Sequence, residues 1–217
     1  WNVAGMKGNG IDVVLNTKNI DKAFKWNSIV NFSTYKDKVT DYYLPTTFAS
    51  DFVAQSGNTS PISGIIGLPV YSVFAYKWAG LDPETGAPRG YLNGEISQQY
   101  SEITSSDRGI EDLQYFGSAI PTIFGSFINS FSYKQMSLDV GITYKFGYWF
   151  RRSSINYTNL ISSRDGHSDY ENRWQKPGGE LMANVRANPY TTSSARDAFY
   201  NGSSVLVERG DHIRLQY

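Results

Sequence analysis

The chain has 217 residues, and its twenty Lys and Arg balance its twenty Asp and Glu, so it carries no net charge and offers no electrostatic case for a nucleic-acid partner. It contains no cysteine, which excludes disulfide frameworks and thiolate metal sites. No apolar run approaches the roughly 20 residues of a membrane-spanning helix, so any insertion into a bilayer must be by strands.

In chain order, Gly10 to Asn19 alternates Ile11, Val13, Leu15 and Thr17 against Asp12, Val14, Asn16 and Lys18. After a break at Ile20 to Lys22, Ala23 to Tyr35 sets Phe24, Trp26, Ser28, Val30, Phe32 and Thr34 against Lys25, Asn27, Ile29, Asn31, Ser33 and Tyr35. A period of two predicts strands, and the short break predicts a hairpin. Gly8-Asn9-Gly10 has no helix or Lys at phosphate-loop spacing and reads as a strand entry. From Lys36 to about Pro121 the periodicity fades and Gly, Pro, Ser and Asp recur, which predicts a functional loop or a further domain.

Alternation returns at Thr122 to Tyr133, where Phe127, Asn129, Phe131 and Tyr133 share a face. A turn near Lys134 to Met136 leads into Ser137 to Tyr148, the clearest strand of the chain. Leu138, Val140, Ile142, Tyr144 and Phe146 fall on one side, and Ser137, Asp139, Gly141, Thr143, Lys145 and Gly147 on the other. A second irregular region spans about Trp149 to Asp211. A final run, His212 to Tyr217, opposes Ile213, Leu215 and Tyr217 to His212, Arg214 and Gln216.

None of these five strands carries Asp, Glu, Lys or Arg on its more apolar face, whereas the opposite faces hold Asp12, Lys18, Lys25, Asp139, Lys145 and Arg214. A Lys or Arg at the lipid midplane costs about 2–4 kcal/mol, so a lipid-facing surface excludes them. A sandwich core would exclude them too. The connections separate the two: they run short, long, short, long, which puts both turns at one end of an up-and-down sheet and both loops at the other, as in transmembrane barrels. A Greek-key sandwich has little reason for that asymmetry. The five Trp, sixteen Tyr and twelve Phe suit the interfacial girdles of such barrels, and equally a carbohydrate-binding face. The expected fold is all-β, a segment of a large antiparallel transmembrane β-barrel with about five strands and two long extracellular loops. Asp139, Thr143 and Lys145 are then expected to face the lumen.

Four blocks carry a family likeness: Tyr76 to Gly94 (YKWAGLDPETGAPRGYLNG), Asp112 to Lys134 (DLQYFGSAIPTIFGSFINSFSYK), Asp169 to Glu180 (DYENRWQKPGGE) and Tyr200 to Tyr217 (YNGSSVLVERGDHIRLQY). In this order they resemble the C-terminal part of the barrel of SusC/RagA-type TonB-dependent outer-membrane transporters of the Bacteroidetes, over essentially the whole chain. One departure is Gly179, where the likeness leads one to expect an acidic residue after Pro-Gly. The resemblance implies a plugged barrel of roughly 22 strands in the Gram-negative outer membrane. It implies import of oligosaccharides or peptides, with energy from TonB and a SusD-like lipoprotein closing over the extracellular face. Residues 1–217 would then be part of one receptor barrel domain, with the plug and the TonB box elsewhere. The start at Trp1 and the stop at Tyr217 inside a predicted strand agree with a segment of a longer protein.

Candidate site residues lie in the two loops. Asp82, Glu84 and Arg89 belong to a loop that faces substrate or lid, unless Asp82-Pro83 and Gly86 simply build turns. Trp78 suits stacking on a sugar ring or peptide side chain, or packing the loop on the barrel rim. Arg173 and Trp174, with Lys176, Pro177 and Gly178, suit a polar ligand or an internal cation–π contact that folds the loop. Asp165 and Asp169 form a carboxylate pair with no supporting acid, base or metal partner, and His167 and His212 stand in no ligand cluster, so neither catalysis nor a metal or cofactor is expected. Four Asn-X-Ser/Thr matches, among them Asn58-Thr59-Ser60, carry no weight in a bacterial outer-membrane protein. Two other functions remain open on sequence: a surface carbohydrate-binding β protein, and a barrel fragment held as a client of outer-membrane assembly or secretion machinery.

Overall fold

The structure, a computed structural model, describes residues 3–43, 48–53 and 64–216. Asn58-Thr59-Ser60 and Tyr217 lie outside the described residues. Among the described residues, twelve strands are formed in chain order: β1 (Ala4–Asp21), β2 (Phe24–Tyr42), β3 (Ser72–Tyr76), β4 (Trp78–Leu81), β5 (Pro88–Leu92), β6 (Glu95–Ser97), β7 (Leu113–Ser118), β8 (Ile123–Tyr133), β9 (Met136–Phe146), β10 (Trp149–Arg151), β11 (Val207–Arg209) and β12 (His212–Leu215). Four short α-helices lie between them: α1 (Ala49–Val53), α2 (Tyr100–Ile103), α3 (Tyr157–Ser163) and α4 (Ser194–Asn201).

The five strands expected from the alternation form one antiparallel sheet, in the order β1-β2-β8-β9-β12. Its register is fixed because a one-residue slip would turn every apolar side chain to the other face. Leu15, Val30, Phe127, Ile142 and Leu215 stand in one row across all five strands. Val13, Phe32, Gly125, Tyr144 and Ile213 form the next. This face is bare: Leu15 is 53% exposed, Leu138 61% and Ile213 68%. Among the described residues no second sheet covers this face, as one would in a sandwich core. The paired stretch from Phe24 to Thr34 is about 34 Å long at roughly 3.4 Å per residue. At a 45° tilt it stands about 24 Å tall, the height of a lipid-facing barrel band.

Two features adapt this face. Gly125 leaves a hollow that the Tyr144 ring fills, and the Tyr144 hydroxyl donates to the Asn31 carbonyl at 3.0 Å; a Cβ on Gly125 would lie 2.0 Å from that carbonyl oxygen and 2.5 Å from the Tyr144 hydroxyl. One polar row, Thr17, Ser28 and Asn129, crosses the apolar face nearer the turn end. It satisfies itself: Trp26 Nε1 and the Ser28 hydroxyl donate to Asn129 Oδ1 at 3.0 and 2.7 Å, and Asn19 Nδ2 donates to Ser28 Oγ at 2.7 Å. Polar groups bonded to one another in this way lose little on leaving water.

Several expected boundaries move. β1 and β2 run well past Gly10 and Tyr35, because their ribbon continues to pair with itself where β8 has not begun, as far as Ala4 opposite Tyr42. Gly8-Asn9-Gly10 is accordingly strand interior. The extension puts Lys7, Lys36 and Lys38 on the apolar side of the sheet, past its last apolar row at Ile11 and Thr34. The exclusion of charge from that side therefore holds only for the apolar band. β9 stops at Phe146 rather than Tyr148, since Gly147 takes φ 77° and donates its N–H to Asp211 Oδ1 at 2.7 Å. Both turns are tight. Lys22 and Ala23 link β1 to β2, and Lys134 and Gln135 link β8 to β9, with Lys134 in the left-handed region at φ 54°.

The first long connection, expected as a loop or a further domain, is built of short strands and helices, and the second carries short helices between β10 and β11. They fold together into one body at the end of the sheet opposite the turns. β3 pairs with β7, β4-β5-β6 form a meander within the first connection, and β10 pairs with β11 across the second. Their shared core holds Phe52, Val53, Phe74, Tyr76, Ile103, Leu113 and Phe199, and Phe199 comes from the second connection. Phe199 stacks on Trp78 and Tyr100, with centroids 6.4 and 5.7 Å apart. Tyr76 N–H donates to the Gly202 carbonyl at 2.9 Å, and Trp78 N–H to the Ser204 hydroxyl at 3.2 Å.

Candidate functional site

Local chemistry shapes the first loop. Asp82 Oδ1 accepts from the N–H groups of Glu84 and Thr85 at 3.1 and 2.9 Å and from the Thr85 hydroxyl at 2.8 Å, while Oδ2 accepts from Gln98 Nε2 at 3.2 Å. Asp82 is thus the keystone of an Asx-type turn. The Thr85 hydroxyl above all, helped by those N–H groups and the Arg89 charge, holds its carboxyl below the usual range. Gly86 closes the turn at φ 64° and donates to the Asp82 carbonyl at 2.8 Å.

Trp174 of the second connection lies against this turn. Its indole N–H donates to Glu180 Oε2 at 3.3 Å, its backbone N–H donates to the Val185 carbonyl at 2.8 Å, and 9% of the residue is exposed. A Cβ on Gly86 would come within 2.4 Å of the indole ring. Ala187 N–H donates to the Gly86 carbonyl at 3.0 Å, which completes the seam between the connections. Gly179 is explained by the same ring: a Cβ there would lie 3.1 Å from Trp174 Cδ1, and the acid that meets the indole stands one residue later, at Glu180. We expect Gly86→Val to open this seam, because it adds strain at positive φ to a clash with buried indole. Proteolysis between Asp82 and Pro88 should then rise at least tenfold with the wall intact; an unchanged rate would show that the turn is held elsewhere.

Arg173 folds the loop from within. Its guanidinium lies 4.0 Å from the Tyr170 ring centroid, and Nη1 donates to the Tyr170 carbonyl at 2.9 Å. Trp78 is half-buried against Phe199 and Tyr200. Arg89 runs along the meander with its Nε buried and unpartnered. Trp78, Asp82, Arg173 and Trp174 therefore each have a structural task. The geometry nonetheless brings Arg173, Trp174 and the turn residues Glu84 and Thr85 onto one groove of about 680 Å³, which Tyr190 and Arg196 also line. Trp78, Asp82 and Arg89 are not among its lining residues. Asp139, Thr143 and Lys145 lie on the polar face of the wall, opposite Ser130, Ser126 and Phe124 of β8.

Tyr190, which no sequence pattern singled out, lines the groove and is fully exposed, at 108%. Nor did any pattern mark the pair beneath the groove. Arg186 is fully buried, donates from Nη2 to Asp197 Oδ1, and lies between the rings of Tyr157 and Tyr200 at 4.5 and 5.2 Å. Burial lowers the Arg186 guanidinium to about 10 and raises the Tyr157 phenol to about 12, so both keep their protons at neutral pH. Asp197, on α4, also accepts from the N–H groups of Tyr157 and Thr158 at the start of α3, at 3.3 and 3.1 Å.

Asp165 and Asp169 do not form a working pair. Burial pushes the Asp169 pKa up, but the Ser154 hydroxyl and Arg152 Nη1 that hold it outweigh this and lower it, while Asp165 is exposed. His167 accepts from the Asp169 N–H at 3.1 Å, and His212 contacts the Tyr148 hydroxyl at 3.2 Å. Among the described residues, no group of three or more His, Asp or Glu side chains is placed to hold a metal ion.

No family model and no curated protein matches the chain. It is similar to chains in two solved structures. For the structure of the RagAB peptide transporter the TM-score is 0.67, with 22% identity over 99% of this chain. For the RagAB peptide importer in the "open-open" state the TM-score is 0.63, with 21% identity over 99% of this chain. In each case the chain spans 22% of the solved chain. Its fold is therefore that of one sector of a RagAB transporter barrel: adjacent antiparallel wall strands carrying two long, interlocked loops at one end.

Proposed function

We propose that this chain is a wall-and-loop sector of an outer-membrane importer that takes up oligomeric nutrients, with peptides as its substrate class. In this reading it works under a SusD-like lipoprotein and draws energy from TonB through a region outside these residues. The carrying observation is the bare apolar face of the five-stranded wall, free of charge through its band, combined with the gathering of both long connections at one end. An open sheet of this kind leaves the edges of β1 and β12 unpaired, and in lipid those edges need further strands to close them.

The likeness to peptide transporter chains, over 99% of this chain and 22% of theirs, supports a transporter and favours peptide over glycan. Two further observations favour peptide. Trp78 and Trp174 spend their faces on packing inside the loop body and not on a sugar ring. The groove offers Arg173 and Arg196 beside Glu84, charges of both signs that suit the termini and side chains of a short peptide. Neither the groove nor the wall supplies an activated nucleophile or an acid–base pair, so binding and passage are proposed and not chemistry.

The test is deletion of the parent gene, followed by growth on defined peptides or on oligosaccharides as the sole limiting nutrient. Loss of growth on peptides alone, restored by the parent protein, is the expected result. Loss on oligosaccharides alone would overturn the substrate class, and a parent that is soluble without detergent would overturn the membrane reading.

A further inference from the structure

Past its last apolar row, the outer side of the wall changes chemistry. Lys7 stands opposite Lys38, and Asn9 opposite Lys36, directly beyond the rows Ile11–Thr34 and Val13–Phe32. The three lysines are exposed, and among the described residues none has an ion-pair or hydrogen-bond partner. Like charges directly opposite one another on paired strands are destabilising, and three lysines here face a single carboxylate, Asp37, among the described residues lining the adjoining cleft.

β2 has parted from β8 at this level, since the β8 pairing begins with Ile123 opposite Thr34. Near this level lies a cleft of about 860 Å³, whose lining includes the three lysines, Pro69, Trp149 and Arg209. Arg209 lies 5.1 Å from the Trp149 ring centroid and pairs with Asp211 at 3.5 Å. The one carboxylate lining the cleft, Asp37, is engaged by the Val70 N–H at 2.8 Å. Positive charge therefore dominates a cavity that opens onto the top of the apolar band.

We propose that this cleft binds the net-anionic, phosphate-bearing headgroup of a lipid in the leaflet beside the loop body. Lysines supply compact point charges to phosphate oxygens. The acyl chains of the same molecule lie along Ile11, Val13 and Phe32, and Trp149 stands at the boundary, where its apolar ring and polar N–H are both satisfied. A free anion would use the lysines and gain nothing from the apolar rows, which is why a lipid is the occupant. The proposal rests on the wall reading above.

The experiment uses the full-length parent, delipidated in detergent and reconstituted into nanodiscs of phosphatidylcholine with or without phosphatidylglycerol, with retained lipid counted by native mass spectrometry. The wild type should retain phosphatidylglycerol. Each lysine near an anionic lipid surface is worth about fivefold in affinity, so Lys7→Gln/Lys36→Gln/Lys38→Gln should lose roughly 100-fold. Lys18→Gln/Lys25→Gln, on the polar face, should lose nothing. Reconstitution with equal retention in wild type and triple variant would overturn the site while leaving the wall reading intact. Displacement of the lipid by millimolar inorganic phosphate would overturn a lipid as occupant. Failure of the parent to enter nanodiscs would overturn the wall reading itself.

Discussion

Replacing Asp197 by Ala should unfold the loop body while sparing the wall. The substitution strands the Arg186 guanidinium, fully buried between two tyrosine rings, with no opposing charge, and it removes the acceptor at the first turn of α3. Breaking a buried pair from one side costs about 3–5 kcal/mol, which corresponds to more than about 100-fold in the local opening equilibrium. Limited proteolysis of the detergent-solubilised parent should report it as rapid cleavage between Ile155 and Asn201, with the heat-modifiable migration of the barrel retained. The double variant Arg186→Met/Asp197→Ala should recover part of the loss, because no unpaired charge is then buried. It should not recover all of it, because the Tyr157 and Thr158 N–H groups still lose their acceptor, although Asn156 continues to cap α3. If Asp197→Ala were as resistant as the wild type, the pair would not hold the loops together.

The second large effect concerns the wall. Ile142 lies in the middle rows of the apolar face, between Phe127 and Leu215, whereas its neighbour Thr143 lies on the polar face between Ser126 and Arg214. Ile142→Arg should therefore cost about 2–4 kcal/mol at the lipid midplane and lower the amount of assembled parent in the outer membrane several-fold. Thr143→Arg, one residue away, should assemble normally. Equal tolerance at both positions would mean that neither face meets lipid, and the opposite ranking would mean that the wall is inside out.

The wall was legible in the sequence because its information is local. In Leu138 to Phe146 the alternation alone tells which side chain goes where, and the lengths of the connections orient the sheet. Strand ends were legible only where a residue signals them. Nothing at Tyr35 or Lys36 shows that β2 continues to Tyr42, since what holds that extension is the partner strand β1 and not its own pattern.

The loop body was hidden for a different reason. Phe199 meets Trp78 and Tyr100 across roughly a hundred residues, and no spacing rule connects positions so far apart. Arg186 and Asp197 stand in a polar stretch with no pattern to single them out, yet they form a buried ion pair in the second connection. Of the site residues, Asp82 announced its turn through Pro83 and Gly86, and Arg173 its cation–π contact through the neighbouring aromatics. The exposure of Tyr190 and the position of Trp174 on Gly86 needed the folded chain.

Which face of the five-stranded sheet meets lipid decides between a barrel wall and any other reading. The direct measurement is a single-cysteine spin-label scan of Leu138 to Phe146 in the reconstituted parent, comparing collision with oxygen, which partitions into lipid, and with a water-soluble nickel complex. Leu138, Val140, Ile142, Tyr144 and Phe146 should favour oxygen, and Asp139, Gly141, Thr143 and Lys145 should favour nickel, with a period of two along the strand. A scan without that period, or with the two sets exchanged, would contradict the wall.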